Sequence, residues 1–305
     1  MSDPDPAPIR RLVSHGSILV DLAVALPRLP ERGGDVLAER SETNAGGGFN
    51  VISAAMRLGL AAVYAGPHGT GPFGDIVRAA LAAEAIPCLQ AASPGLDTGY
   101  CVVLVEGGER TFVTATGADG VVGQDSLEGI SYQAGDAVYI SGYDLAYPGA
   151  GAALADHAVM LPAGVLLVLD PGPLVKEIPS ARLRPVMERA DLVSLNTREA
   201  ALMDLEWVGL RPSATRILRS GAEGATLLGP GGARQTIPAV ATRVIDSTGA
   251  GDVHVGATLA GLARGLPLPE AVLLANRAAA YAVGRWGAAT GPTEDELREF
   301  GGGRW

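Results

Sequence analysis

Two carboxylates, Asp246 and Asp252, enclose the small residues Ser247-Thr248-Gly249-Ala250-Gly251. The stretch that follows, "DVHVGATLAGLARG", carries apolar residues at helical spacing until Gly265 ends it. Gly249 and Gly251 therefore fall at a helix N-terminus. There the first backbone N–H groups lack intrahelical partners, and the missing Cβ atoms let an anion approach them closely. The helix dipole favours the ionised form of an acid in the first turn, so Asp252 beside a bound phosphoryl group is suited to orient and deprotonate an attacking hydroxyl. A helix cap with an acid in its first turn would use the same residues.

Such a site needs a frame. Short apolar runs alternate with Ala- and Leu-rich stretches of helical period, the βαβα rhythm of a mostly parallel sheet covered by helices. "LVSHGSILVDL" reads as a first strand, "FNVISAAMRLG" as a helix ended by Gly59, "AAVYAG" as the next strand and "GDIVRAALAAEAI" as a second helix. "DAVYISG", "GVLLVLDP", "DLVSLN" and "ATLLG" are further strand candidates of the kind expected for buried parallel strands, and "TRVI" reads as a strand leading into Asp246. Two segments break the rhythm, near residues 34–43 and 98–117. The second holds two β-rich runs around Glu106-Gly107-Gly108-Glu109, a hairpin signal. Together they predict a small β layer attached to an α/β body, within a single domain over residues 1–305.

Composition excludes several function classes. With 23 Lys+Arg against 33 Asp+Glu the net charge is -10, which disfavours a nucleic-acid partner and predicts that anionic ligands are held locally. No stretch offers about 18 uninterrupted apolar residues and the first residues lack the apolar core of a signal peptide, so no membrane partner and a cytoplasmic location are expected. Cys88, Cys101 and four scattered histidines fit no zinc pattern. "GTGPFG", residues 69–74, matches a dinucleotide fingerprint in letters only: Pro67 and His68 separate it from the preceding strand, Pro72 interrupts it, and residues 89–96 contain no acid. The single lysine, Lys176, is not preceded by Gly, which excludes a Walker A loop. Backbone amides, arginines and a metal remain to handle phosphate.

These residues give the chain a resemblance to the PfkB, or ribokinase-like, family of carbohydrate and nucleoside kinases over nearly its whole length. "DSTGAGD" resembles the family's C-terminal signature D-T-x-G-A-G-D, and "AGGGFNVISAAMRLG" its N-terminal Gly-Gly signature. Between them "NTREA" resembles the N-x-x-E motif and "SGAEGATLL" the Gly-x-x-Gly nucleotide loop. The resemblance implies a three-layer α/β/α sandwich with a mostly parallel sheet and a small β-sheet lid, in accord with the two segments that break the rhythm.

Carried onto this chain, the resemblance makes Asp252 the catalytic base and Gly249, Ala250 and Gly251 the anion hole. Asp21, Gly46, Gly47 and Asn50 would contact the sugar, and Tyr143 sits near where ribokinase places a sugar-binding acid. Ala45 stands where many members have the first glycine of the pair. Asn196 and Glu199 would organise nucleotide phosphates and Mg²⁺ through water, and the same pair can form a capping box. Gly221 and Gly224 would pass under the nucleotide, with Asn276 on its adenine or ribose side. Asp246 would bind a monovalent cation such as K⁺ with carbonyls of residues 283–289, or else simply end a strand. His254, where an aromatic is usual, reads as a hydrogen-bonded core histidine.

The function implied is an ATP-dependent kinase moving the γ-phosphoryl group to a hydroxyl, expected to be primary, of a small carbohydrate. A nucleoside kinase is the alternative, and the 5% aromatic content leans away from it. A ligand-binding regulator without turnover would be marked by loss of the base or of the Gly-Ala-Gly hole, and both are present. The strands of the lid leave an edge or an apolar face to be covered, so a homodimer through the lid is expected.

Overall fold

The computed structural model describes residues 9–107, 109–203, 213–229 and 232–301. Their strands are β1 (Arg11–Ser14), β2 (Ile18–Leu26), β3 (Arg40–Gly47), β4 (Ala62–Tyr64), β5 (Tyr100–Glu106), β6 (Glu109–Ala115), β7 (Asp136–Ser141), β8 (Leu166–Asp170), β9 (Leu192–Asn196), β10 (Thr215–Arg219), β11 (Ala225–Leu228) and β12 (Arg234–Ile237). The α-helices are α1 (Gly48–Arg57), α2 (Pro72–Ala83), α3 (Gln124–Glu128), α4 (Gly142–Ala146), α5 (Gly151–Val159), α6 (Ser180–Arg189), α7 (Thr197–Leu202), α8 (Ala250–Ala263), α9 (Leu268–Val283) and α10 (Glu294–Gly301). Among the described residues one sheet runs β12-β11-β10-β9-β8-β7-β1-β4 and a second β3-β2-β5-β6. From β4 to β10 every pairing in the large sheet is parallel; β11 and β12 are added antiparallel at one edge.

Side chains alternate across a strand, and here the alternation sorts them into two cores. Leu12, Ala137, Tyr139 and Val168 pack on one face with Ile52 of α1, Val255 of α8 and Val272 of α9. Their neighbours Val13, Val138, Ile140, Leu167 and Leu169 pack on the other with Leu154 of α5 and Val186 of α6. Both faces are therefore covered, which is why these strands read as continuous apolar runs. The small sheet differs. Only one face of β5 is buried, where Cys101, Val103 and Val105 meet Leu19 and Trp286, and β6 at the edge is mostly exposed.

Several sequence expectations need correction. The stretch read as one first strand is two, β1 in the large sheet and β2 in the small one, because the chain crosses between sheets at His15-Gly16-Ser17. Gly16 permits the crossing: a Cβ there would lie 2.7 Å from the Tyr139 ring. The hairpin expected near 98–117 is β5–β6, whereas of residues 34–43 only those from Arg40 onward are strand. "TRVI" forms no strand; the Ile245 N–H bonds the Val283 carbonyl at the end of α9, and Val244 and Ile245 are exposed. "ATLLG" is a strand, but antiparallel to its neighbours. Strands β10 and β12 escaped notice because arginines flank the short apolar core of β10 and β12 is polar but for Ile237.

Candidate active site

Gly249 is the N-cap of α8 and has φ +70°, a left-handed conformation that favours glycine. A Cβ on it would also lie 3.0 Å from the Asn50 amide, so conformation and contact agree. Asn50, buried in the first turn of α1, donates from Nδ2 to Asp252 Oδ2 at 3.0 Å and accepts the Ala289 N–H on Oδ1 at 2.8 Å. The amide is thus engaged at both ends and holds the acid in place, with one N–H of Nδ2 and one lone pair of Oδ1 left over. Burial pushes the Asp252 pKa up to about 7; the Asp170 charge adds to the rise, and the Asn50 bond and Arg219 oppose it. A carboxylate poised near neutrality is matched to accepting a proton in transfer.

Asp21 lies within β2, its carboxylate over Gly46, where any side chain would collide with it. Gly47 has φ +59°, and Gly48 packs against the Gly16 carbonyl. The glycine run therefore admits close approach of the lid strand to α1, and Ala45 belongs to the core. Burial pushes the Asp21 pKa up to about 7. Asp21, Asn44, Val103 and Val105 form one wall of a recess whose opposite wall includes Asp246, Thr248 and Gly287. Tyr143 in α4 is nearby: burial raises its phenol, followed by the charges of Asp252, Cys101 and Asp170. The adjacent Asp144 turns inward to accept the Ser17 N–H at 3.0 Å.

The capping box expected of Asn196 and Glu199 is present. Glu199 N–H bonds Asn196 Oδ1 at 2.9 Å and Asn196 N–H bonds Glu199 Oε2 at 2.7 Å. Burial, and secondly the Asp170 charge, raise the Glu199 pKa. Gly221 (φ +57°) opens the turn between β10 and β11 with free space above it, while Gly224 (φ +90°) is pressed against the Ile237 carbonyl. Asn276 donates to the carbonyls of Ile237 and Pro238 at 3.2 and 2.9 Å and faces His254 Nε2 at 3.1 Å. Its amide shapes the chain after β12, and His254 is the bonded core histidine its position suggested. The decoy at residues 69–74 is a helix start capped by Asp97, which accepts from the N–H groups of Phe73 and Gly74.

Three charged side chains of the cleft escaped the sequence reading. Arg219, at the end of β10, bonds Asp170 Oδ2 at 3.0 Å and lies 3.5 Å from Glu199 Oε2. Asp170, ending β8, was findable as a carboxylate at the C-terminal end of a parallel strand. Arg219 carried no signal. Arg110 of the lid strand β6 also went unseen: it pairs with Asp246 and donates to Ser247 Oγ at 2.7 Å. Asp246 further accepts the N–H groups of Thr248 at 2.7 Å and Gly287 at 3.1 Å. In this arrangement the cation facing Asp246 is the Arg110 guanidinium, and Gly287 offers it an N–H.

Among the described residues no cluster of three or more His, Cys, Asp or Glu side chains is arranged for a metal, and no helix is long and apolar enough to cross a membrane. The family model of pfkB carbohydrate kinases matches residues 10–296. A relative in Escherichia coli K12, the uncharacterized sugar kinase YegV, is 36% identical over 297 residues, covering 92% of this chain and 91% of its own. An ATP-dependent ribose-1-phosphate kinase of Halopiger xanaduensis is 26% identical over 299 residues, covering 95% and 97%. Among solved structures, a nucleoside kinase of Burkholderia thailandensis in complex with inosine superposes with a TM-score of 0.78 at 22% identity, covering 95% of both chains. At that identity the likeness is one of fold.

Proposed function

The chain belongs to the pfkB family of carbohydrate kinases, and on that premise we propose that it transfers the γ-phosphoryl group of ATP to a hydroxyl, a primary one, of a small carbohydrate. Asp252 takes the hydroxyl proton while the helix N-terminus at Gly249, Ala250 and Gly251 holds the transferred group, the Ala250 N–H being shared with the Ser247 carbonyl at 3.3 Å. The observation that carries this reading is the Asn50 bond that fixes Asp252 in the first turn of α8, directly behind the left-handed Gly249. Asp21 across the cleft grips sugar hydroxyls, with Gly46, Gly47 and Tyr143 shaping that wall. Asn196, Glu199, Gly221, Gly224 and Asn276 frame the nucleotide end.

Glu199 and Asp170 offer hard oxygen donors there, which suits Mg²⁺ bound by one or two carboxylates, water and the nucleotide's own phosphates. When bound, the ion offsets the developing phosphate charge. The recess between lid and body presents carboxylate, amide and small apolar groups, which suit the hydroxyls of a sugar. The exposed Phe112 and Val113 on edge strand β6 support a homodimer through the lid, to be checked by sedimentation equilibrium. A cytoplasmic location accords with the acidic composition.

The test is a product-detecting screen of pentoses, hexoses and nucleosides with Mg-ATP, run with the wild-type protein. A phosphorylated sugar supports the reading, a phosphorylated nucleoside in its place supports the alternative, and binding without product supports a regulator.

A further inference from the structure

We propose that Arg219 is a catalytic residue, its guanidinium holding the phosphoryl group during transfer together with the N-terminus of α8. The inference rests on the kinase reading above and adds a side chain that no sequence motif assigned.

Asp170, Asn196 and Arg219 end the adjacent parallel strands β8, β9 and β10, at the carboxyl edge where open α/β sheets bind ligands. One nitrogen of the guanidinium, Nη2, is held by Asp170 Oδ2 at 3.0 Å and lies 3.5 Å from Glu199 Oε2. Those two acids fix the plane of the group. The other two nitrogens, Nε and Nη1, are buried and make no hydrogen bond among the described residues. Buried donors are normally paired, and leaving one unpaired costs free energy. Their surroundings show what they face. A Cβ on Gly251 would lie 3.0 Å from Arg219 Cζ and would collide with Nη1, so the guanidinium lies against the first turn of α8, one residue from Asp252.

The unpaired Nη1 thus lies beside the N-terminal turn of α8, and a guanidinium matches two oxygens of a phosphoryl group. An anion arriving there meets the carboxylates of Asp170, Glu199 and Asp252, and Arg219 is the cation set among them. The single lysine of the chain, Lys176, is exposed. In the transfer, the acceptor oxygen bonds the γ-phosphorus as the bond to the β–γ bridging oxygen breaks. ADP leaves with that electron pair and the hydroxyl proton passes to Asp252. Arg219 forms no covalent bond; it donates hydrogen bonds to the oxygens of the moving group, where charge is greatest.

The plainer role is a counter-charge that merely neutralises Asp170 and Glu199, and the experiment separates the two. Wild type, Arg219→Gln, and Asp170→Asn combined with Arg219→Gln are compared for melting temperature, for kcat with the sugar found in the screen, and for calorimetric binding of ADP with and without fluoroaluminate, a mimic of the transferring group. Arg219→Gln is expected to lower kcat by about 10²–10³-fold, to bind ADP within about threefold of wild type, and to lose the tightening that fluoroaluminate confers. The double variant should regain melting temperature without regaining kcat. A folded Arg219→Gln protein with kcat within about tenfold of wild type, or a double variant that recovers kcat, overturns the assignment. If Arg219→Gln fails to fold, Arg219→Lys keeps the charge beside Asp170 and Glu199, and loss or retention of the fluoroaluminate effect decides for or against. Product from wild type and variants alike removes only this assignment. No product from wild type with any acceptor removes the kinase reading as well.

Discussion

Among the described residues the cleft has arginine–carboxylate pairs in both of its structural contexts. Arg219 and Asp170 both belong to the large sheet, with side chains 12% and 9% exposed. Arg110 and Asp246 are equally secluded, at 10% and 3%, yet one comes from the outer strand of the lid and the other from the loop before the anion hole. The first pair is formed within one sheet. The second is formed between β6 and residues 246–247, across the two parts of the molecule. One wall of the cleft is thereby organised within the body, and the other depends on how the small sheet sits against it.

The contrast can be broken most severely at Asp252. Asp252→Asn keeps the shape and a contact to Asn50, and is expected to lower kcat by about 10²–10⁴-fold with no loss of melting temperature. Measuring both on one sample separates a base from a helix cap, and a variant retaining more than about a tenth of kcat would defeat the base. The lid contact ranks next. Arg110→Gln leaves Asp246 with only the Thr248 and Gly287 N–H groups, and kcat and KM for the sugar should worsen together, by up to about 10²-fold in kcat/KM, while ADP binding is untouched. An unchanged KM for sugar would sever the lid from the site.

A smaller, graded effect comes from pH. Asp252 must be ionised to act, and its pKa of about 7 makes kcat/KM fall as pH drops below neutrality. Stability should run the other way. The folded-state pKa lies above the unfolded value of about 3.9, so the native chain binds the proton more tightly, gains stability as pH falls from 7 toward 4, and loses it as pH rises through 7. Asp21 and Asp144, both raised to about 7 by burial, act in the same direction. Melting curves of wild type and Asp252→Asn across that range should differ by a shallower slope in the variant. The smallest expected effect is none: exchanging K⁺ for tetramethylammonium at matched ionic strength should leave turnover unchanged, because Arg110 already stands at Asp246. A strong K⁺ requirement would mean that the lid pair opens in the working enzyme.

Much of the site was legible where its geometry is set within a few residues. The glycines at the N-terminus of α8, the acid in its first turn and the reciprocal Asn196–Glu199 bonds are local hydrogen-bonding problems with few solutions, and each stands as read. The hairpin β5–β6 was legible for the same reason. Residues 12–22 were misread as one strand because both halves are apolar and only the fit of Gly16 against Tyr139 shows that the chain changes sheets there. "TRVI" was misread because β-rich composition says nothing about whether a partner strand is available.

By itself, then, the sequence determined the α/β rhythm, the helix that carries Asp252, the glycines that clear its N-terminus and the acids that surround it. The tertiary structure alone decided that Asp21 stands on the lid, that Asn50 serves Asp252, and which charges meet. Arg219 and Asp170 are 49 positions apart and Arg110 and Asp246 are 136 apart, so no local pattern relates them. A helix cap is chosen by hydrogen bonds a few residues long. A buried ion pair is chosen by the order of strands β8-β9-β10 and by how the small sheet sits over the loop, because burial makes an unmatched charge costly only after the chain has folded around it.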